Sequence, residues 1–274
     1  QLSGIGSGKL CQSHGIVNVC DQPNVGKHLQ DHLGINYFHL ANRPTLNNVL
    51  GSWPHLIIAG VNYIMRRKGP LSLGVNQLGG LVRATPDASR LDTQLYINPI
   101  TYSVTDDDTR RLTKPDRAPG FALSFNSCRP YSAGSVYIKS ADAAMPPAIH
   151  GNYLDDQRDI EDVLRMARFI GRMQNSPSVQ KLLAAPPETN LLALSDNEII
   201  DDFRARSGTV FHPCGTCRMG PDRRHSVVDP QLRVHGVGKL RVADAAIFPN
   251  ITSANTNAPT IAVAHKAADL ILQS

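Results

Sequence analysis

Apolar residues recur along this chain in two rhythms, and the change from one to the other marks its elements. Between Asp155 and Met173, the residues Ile160, Val163, Leu164, Ala167 and Ile170 fall on one helical face. Acidic residues come early there and arginines late, as the helix macrodipole favours. Asp196 to Arg206 repeats the arrangement, and His55 to Arg67 has helical spacing that stops at the breaker pair Gly69-Pro70. Leu91 to Ile97 and Phe121 to Asn126 instead alternate apolar and polar residues, which predicts half-buried strands. Ser135 to Lys139 is a further short strand. Residues 36–207 therefore read as α+β, with a mostly antiparallel sheet and helices on one side.

The flanks differ. Residues 1–35 mix Gly-rich turns with an extended run, Gly15 to Val19, and a polar segment, Asn24 to Leu33. Residues 208–274 run from a short strand, Leu240 to Ala243, through Asp244 and an irregular loop into a helix expected from Pro259 to Leu272. Pro259 suits a first helical turn, where its missing N–H costs nothing. Ile261, Ala264, Ala268 and Leu272 would form the buried face. A strand, a loop and then a helix N-terminus presents backbone N–H groups to an electron-rich ligand.

Composition narrows the class. With 274 residues, 41% hydrophobic and 19% charged, the chain is long enough for one large or two ordinary globular domains. The net charge of +5 is scattered apart from Arg66-Arg67-Lys68, which reads as the cationic end of a helix rather than a membrane or phosphate site. No basic run is interleaved with aromatics, so nucleic acid is not an expected partner. No apolar stretch approaches the ~18–20 residues of a membrane span, so no integral membrane segment is expected. Five cysteines do not make a disulfide framework, and reduced thiols are favoured over a Cys11–Cys20 bridge.

Few motifs carry chemistry. Cys214-Gly215-Thr216-Cys217 lacks a second C-x-x-C and reads as packing thiols, so no metal site is expected. Ser3 to Gly8 is a turn, without the preceding strand and following acid of a dinucleotide loop. His28 and His32, with Asp31 between them and no third ligand, are assigned a surface or capping role. His212, on a Gly-rich bend, and Asn255, just before a helix, offer more. A base and a neutral donor beside a helix N-terminus could deprotonate an alcohol and stabilise anionic charge. The residues alone leave this open, since His212 can equally be a satisfied core histidine and Asn255 a loop or cap residue.

A longer pattern surrounds that pair. His212-Pro213-Cys214-Gly215-Thr216-Cys217-Arg218-Met219-Gly220, then Val228-Asp229-Pro230, Gly236 through Asp244, and Asn255-Thr256-Asn257-Ala258-Pro259-Thr260 resemble, in register, the C-terminal signature of the glucose–methanol–choline (GMC) oxidoreductases. Leu2-Ser3-Gly4-Ile5-Gly6 resembles the tail of the family's second signature, and Asn24-Val25-Gly26 through Leu33 the segment that follows it. Gly69-Pro70-Leu71 and Asn152-Tyr153-Leu154 also fall at familiar places.

The resemblance implies an α/β, Rossmann-like FAD-binding domain, incomplete in this chain, built from residues 1–35 and 208–274, plus an α+β substrate-binding domain over 36–207. It implies FAD as cofactor and base-assisted hydride transfer from a small-molecule alcohol to flavin N5. His212 would be the catalytic base and Asn255 its partner. Asp244 and Ala245 would lie near the ribityl–pyrophosphate region, while Asn255, Thr256, Asn257 and Thr260 would meet the flavin at the helix N-terminus. Asn76 and Gln77 would line the substrate cavity with His212 and Asn255. Leu71 to Gly80 carries no acidic residue, which favours a neutral alcohol over choline. Alternative readings are a hydroxynitrile lyase-type lyase on the same scaffold and a non-catalytic fragment. The family's first βαβ unit, with its G-x-G-x-x-G loop, is absent from this sequence, so a second chain carrying that N-terminal half is an expected partner.

Overall fold

A computed structural model describes residues 1–74, 76–107 and 110–273. In chain order the elements are β1 (Ile5–Gly6), α1 (Gly8–Ser13), β2 (Cys20–Asp21), β3 (Lys27–Leu29), β4 (Leu33–Leu40), α2 (Leu46–Leu50) and α3 (Trp53–Arg66). There follow β5 (Leu78–Val82), β6 (Thr93–Asn98), β7 (Tyr102–Asp107), β8 (Arg110–Pro115), β9 (Gly120–Ser127), β10 (Gly134–Tyr137) and β11 (Ala148–His150). Last come α4 (Gln157–Gln174), α5 (Pro177–Gln180), α6 (Asp196–Arg206), β12 (Gly208–Thr209) and α7 (Asn257–Leu272). The chain divides into two compact units. One comprises Gln1–Leu33, Cys128–Ile160 and Thr209–Ser274, the other Gly34–Ser127 and Glu161–Gly208. Residues 128–160, which the sequence pattern groups with the middle region, thus pack with the two ends of the chain.

The second unit holds the main sheet, in which β4, β9, β6 and β5 pair antiparallel in that order. Phe121 to Asn126 alternates as expected but is not half-buried: as the central strand, β9 is buried on both faces from Gly120 to Asn126. Its apolar side packs on α6, with Phe125 stacked on Phe203 at 5.9 Å. The polar side is buried too, and Ser124 donates to Asn36 Oδ1 at 2.5 Å within a layer of side-chain hydrogen bonds. The helix expected over Asp196–Arg206 has those bounds because Ser195 and Glu198 form a capping box. On α4 the expected stripe is buried at Val163, Ala167 and Ile170, with Met166 beside it.

The first unit begins with a short parallel pair, Ile5 opposite Cys20, with α1 as the crossover between the strands. The extended run expected over Gly15–Val19 leads into β2 without being a strand itself. A second small sheet, β11-β10-β3, is antiparallel. Cys214, Val227, Val228, Leu232, Val234, Ile247, Phe248, Ile251 and Ala267 form the apolar core. The strand expected over Leu240–Ala243 shrinks to a bridge between Arg241 and Arg233, because this stretch closes a tight meander that pairs a residue at a time. The last helix starts at Asn257, two residues before Pro259.

Candidate functional site

His212 is carried by a backbone ribbon fastened along both edges. Cys214 and Gln30 exchange hydrogen bonds of 2.9 and 3.0 Å, and the N–H groups of Gly215, Cys217 and Met219 donate to the carbonyls of Ala245, Ala246 and Ile247. Gly215 has φ +85°, and a Cβ there would lie 2.5 Å from the His28 carbonyl oxygen, so the ribbon's approach requires glycine. Phe211 holds a left-handed φ of +63°, uncommon for a bulky residue, immediately before His212. The Asp31 carboxylate fixes this turn. Its Oδ1 accepts the His212 backbone N–H at 2.9 Å, and its Oδ2 accepts the hydroxyls of Tyr153, at 2.7 Å, and Thr209.

The imidazoles form a directed chain. His32 is fully buried, and its Nε2 lies 3.1 Å from the Cys128 carbonyl oxygen. A carbonyl only accepts, so the His32 proton sits on Nε2 and its Nδ1 is an acceptor. That nitrogen is 3.0 Å from His212 Nδ1, with the rings nearly perpendicular at 87°. His212 Nδ1 must therefore be the donor, which leaves the lone pair of neutral His212 on Nε2. Asn255 Nδ2 lies 3.1 Å from that atom and donates to it. Burial lowers the His212 pKa from its ordinary 6.5, and the Asp31 charge pulls the other way. His32 is lowered as well, chiefly by burial. Both rings are thus neutral near pH 7, and the network holds one base in one tautomer.

His32 overturns an expectation. The sequence reading put His28 and His32 at the surface or in a cap, yet His28 is half-buried in β3 and His32 is fully buried in the cluster. A usable signal was the polar run Gln30-Asp31-His32 directly before an apolar strand. All three residues bond across the unit, with the Gln30 amide donating to the Pro130 carbonyl and accepting the Ile251 N–H, each at 3.0 Å.

The other expected residues differ in setting. Asn255 immediately precedes the entry to α7, whose first turn has no side-chain cap and no acidic residue. Such an end suits an anionic or electron-rich group. Thr256 is buried, and the Thr260 hydroxyl donates to its carbonyl at 2.7 Å, while Asn257 is exposed. Asp244 caps a 3-10 turn over Ala245–Ile247 by accepting the Ala246 N–H at 2.7 Å, the ordinary loop-capping role. Asn76 and Gln77 belong to the second unit, on the exposed segment before β5. Cys214 and Cys217 are free thiols that burial pushes up to about 12 and about 11, so they pack as neutral groups. Among the described residues no cluster of three His, Cys, Asp or Glu is disposed to hold a metal ion.

Residues 130–264 match the family described as GMC oxidoreductase. Along 275 residues the chain is 38% identical to an alcohol dehydrogenase [acceptor] of Pseudomonas putida, covering 99% of this chain and 48% of that protein. It is 33% identical to the mitochondrial choline dehydrogenase of Homo sapiens, covering 98% and 45%. Among solved structures, formate oxidase superposes with a TM-score of 0.88 at 27% identity, covering 99% of this chain and 51% of that one. The chain belongs to the GMC oxidoreductase family. It spans about half the length of the curated relatives it matches. The expectation of a separate companion chain finds no support in these GMC relatives, each of which carries the matched portion within one longer protein.

Proposed function

We propose that the enzyme containing this chain oxidises a neutral alcohol to a carbonyl, with His212 as base and FAD as cofactor. The observation that carries this reading is the neutral His212 with its lone pair fixed on Nε2 and the Asn255 amide beside it, at 3.1 Å. When bound, FAD supplies the hydride acceptor that no side chain can provide. An alcohol is a weak acid, so its proton must leave as hydride departs, which requires a base within hydrogen-bond reach of the hydroxyl. Nε2 of His212 accepts that proton, while Nδ2–H of Asn255 donates to the oxygen as negative charge develops on it. Once protonated, His212 keeps its Nδ1–H bond to His32, so the ring stays in place through the transfer.

The residues that would hold the cofactor fit an electron-rich group. The uncapped first turn of α7, with Thr256, Asn257 and Thr260, offers amides and the positive end of a dipole next to Asn255. Asp244 and Ala245 follow the last bridged strand position and would meet the ribityl–pyrophosphate region. The parallel β1–α1–β2 crossover supports assigning the first unit to a Rossmann-like FAD-binding domain and the second to substrate binding, with Asn76 and Gln77 among its contacts. The test is anaerobic addition of simple alcohols to the FAD-loaded enzyme. Bleaching of the visible flavin band is expected. No bleaching by any alcohol, together with cleavage of a cyanohydrin, would replace this reading with a lyase that uses the same base.

A further inference from the structure

Helix α3 is built with its apolar stripe facing outward. At 100° per residue, Trp53, Ile64, Ile57, Val61, Met65 and Ile58 fall within an arc of about 140°. These six side chains are 78, 71, 59, 56, 76 and 64% exposed. The side turned to the protein is the small one, where Ala59 is 5% exposed. A water-facing helix ordinarily presents polar residues on this arc. Six large apolar side chains on one helix are not the scattered single exposures every protein shows.

Charge around the stripe says what fits it. Residues 32–86 contain no Asp or Glu, although the whole chain has 23 acidic residues in 274. The same stretch carries Arg43, Arg66, Arg67, Lys68 and Arg83. The cluster Arg66-Arg67-Lys68 ends the helix as the sequence implied, but all three side chains are exposed, which reopens the membrane role that the sequence reading set aside. Among the described residues none of the three pairs with a carboxylate. An exposed apolar face with an exposed cationic cluster at its C-terminal end, in an acid-free stretch, matches the surface of an anionic bilayer. Apolar side chains enter the acyl boundary, cations meet phosphate headgroups, and a tryptophan sits at the interface.

We propose that α3 is an in-plane anchor that docks the enzyme on anionic phospholipid membranes. No crossing of the bilayer is involved, because among the described residues no helix is long and apolar enough to span it. The assignment is independent of the alcohol chemistry.

Co-sedimentation of the complete FAD-loaded enzyme with lipid vesicles tests it. Binding is expected to vesicles rich in phosphatidylglycerol, and at least about tenfold more weakly to phosphatidylcholine alone. High salt should weaken binding to the anionic vesicles. Ile57→Asp combined with Ile64→Asp should cut vesicle binding at least about tenfold, leaving flavin absorbance and turnover of a soluble alcohol unchanged. R66Q/R67Q/K68Q should abolish the preference for anionic lipid while the residual binding persists. Absence of binding to any vesicle would overturn the proposal, since the stripe is then covered by another part of the enzyme. A change of oligomeric state in the isoleucine variant, with no effect on vesicles, would equally overturn it in favour of a contact between two copies.

Discussion

Replacing His32 by Phe keeps a ring in the buried site but removes the acceptor that His212 Nδ1–H now uses at 3.0 Å. In the variant that buried N–H has no partner, a loss of about 1–3 kcal/mol. Moving the proton to Nε2 relieves the cost, and in that tautomer His212 cannot take a proton from the substrate. At about 1.4 kcal/mol per factor of ten, the productive tautomer falls roughly five- to 140-fold. The assay is anaerobic rapid mixing of the FAD-loaded enzyme with saturating alcohol, following flavin reduction. His32→Phe should lower the limiting rate by that factor with little change in the alcohol concentration giving half-maximal rate. His32→Gln, whose amide oxygen can accept from Nδ1–H, should recover part of the loss. A wild-type rate in His32→Phe would refute the tautomer argument. Equal losses in both variants, accompanied by a lowered thermal midpoint, would assign His32 to packing instead.

Other expected outcomes follow from the same contacts. The Asp31 charge raises the His212 pKa, so Asp31→Asn should move the acid limb of the kcat/KM profile to lower pH, and an unmoved limb would count against that coupling. His32 and His212 both lie below their unfolded value of 6.5, so as pH falls through 6.5 the unfolded chain takes up protons that the folded one refuses. Stability is then full above 6.5 and lost below it, and the thermal midpoint should fall from pH about 7.5 to about 5.5. Gly215→Ala forces a Cβ at φ +85° to within 2.5 Å of a carbonyl oxygen, which should destabilise by about 1–3 kcal/mol in a denaturant titration.

Legibility followed the range of the interactions. Helices α3, α4 and α6 could be read from spacing, caps and breakers because those signals lie within one turn of the residues they affect. The burial of β9 on both faces could not, since alternation reports two different faces without saying what covers each. For the same reason only β10 of the β10–β11 hairpin reads as a strand, and nothing local points to its partner β3, over a hundred residues earlier in the chain. Of the candidate site, His212 and Asn255 were visible as residues, and the structure sets their side chains 3.1 Å apart. Of the members that set their chemistry, His32 was misread and Asp31 was assigned no role. Their roles depend on a carbonyl at Cys128 and a hydroxyl at Tyr153, positions no local pattern connects to them.

The claim that Nε2 of His212 removes the substrate proton is tested most directly by flavin reduction in His212→Ala. Mixed anaerobically with the alcohol that reduces the wild type, the variant should keep its bound flavin and reduce it about 10²- to 10⁴-fold more slowly. Reduction at the wild-type rate would mean that another group takes the proton.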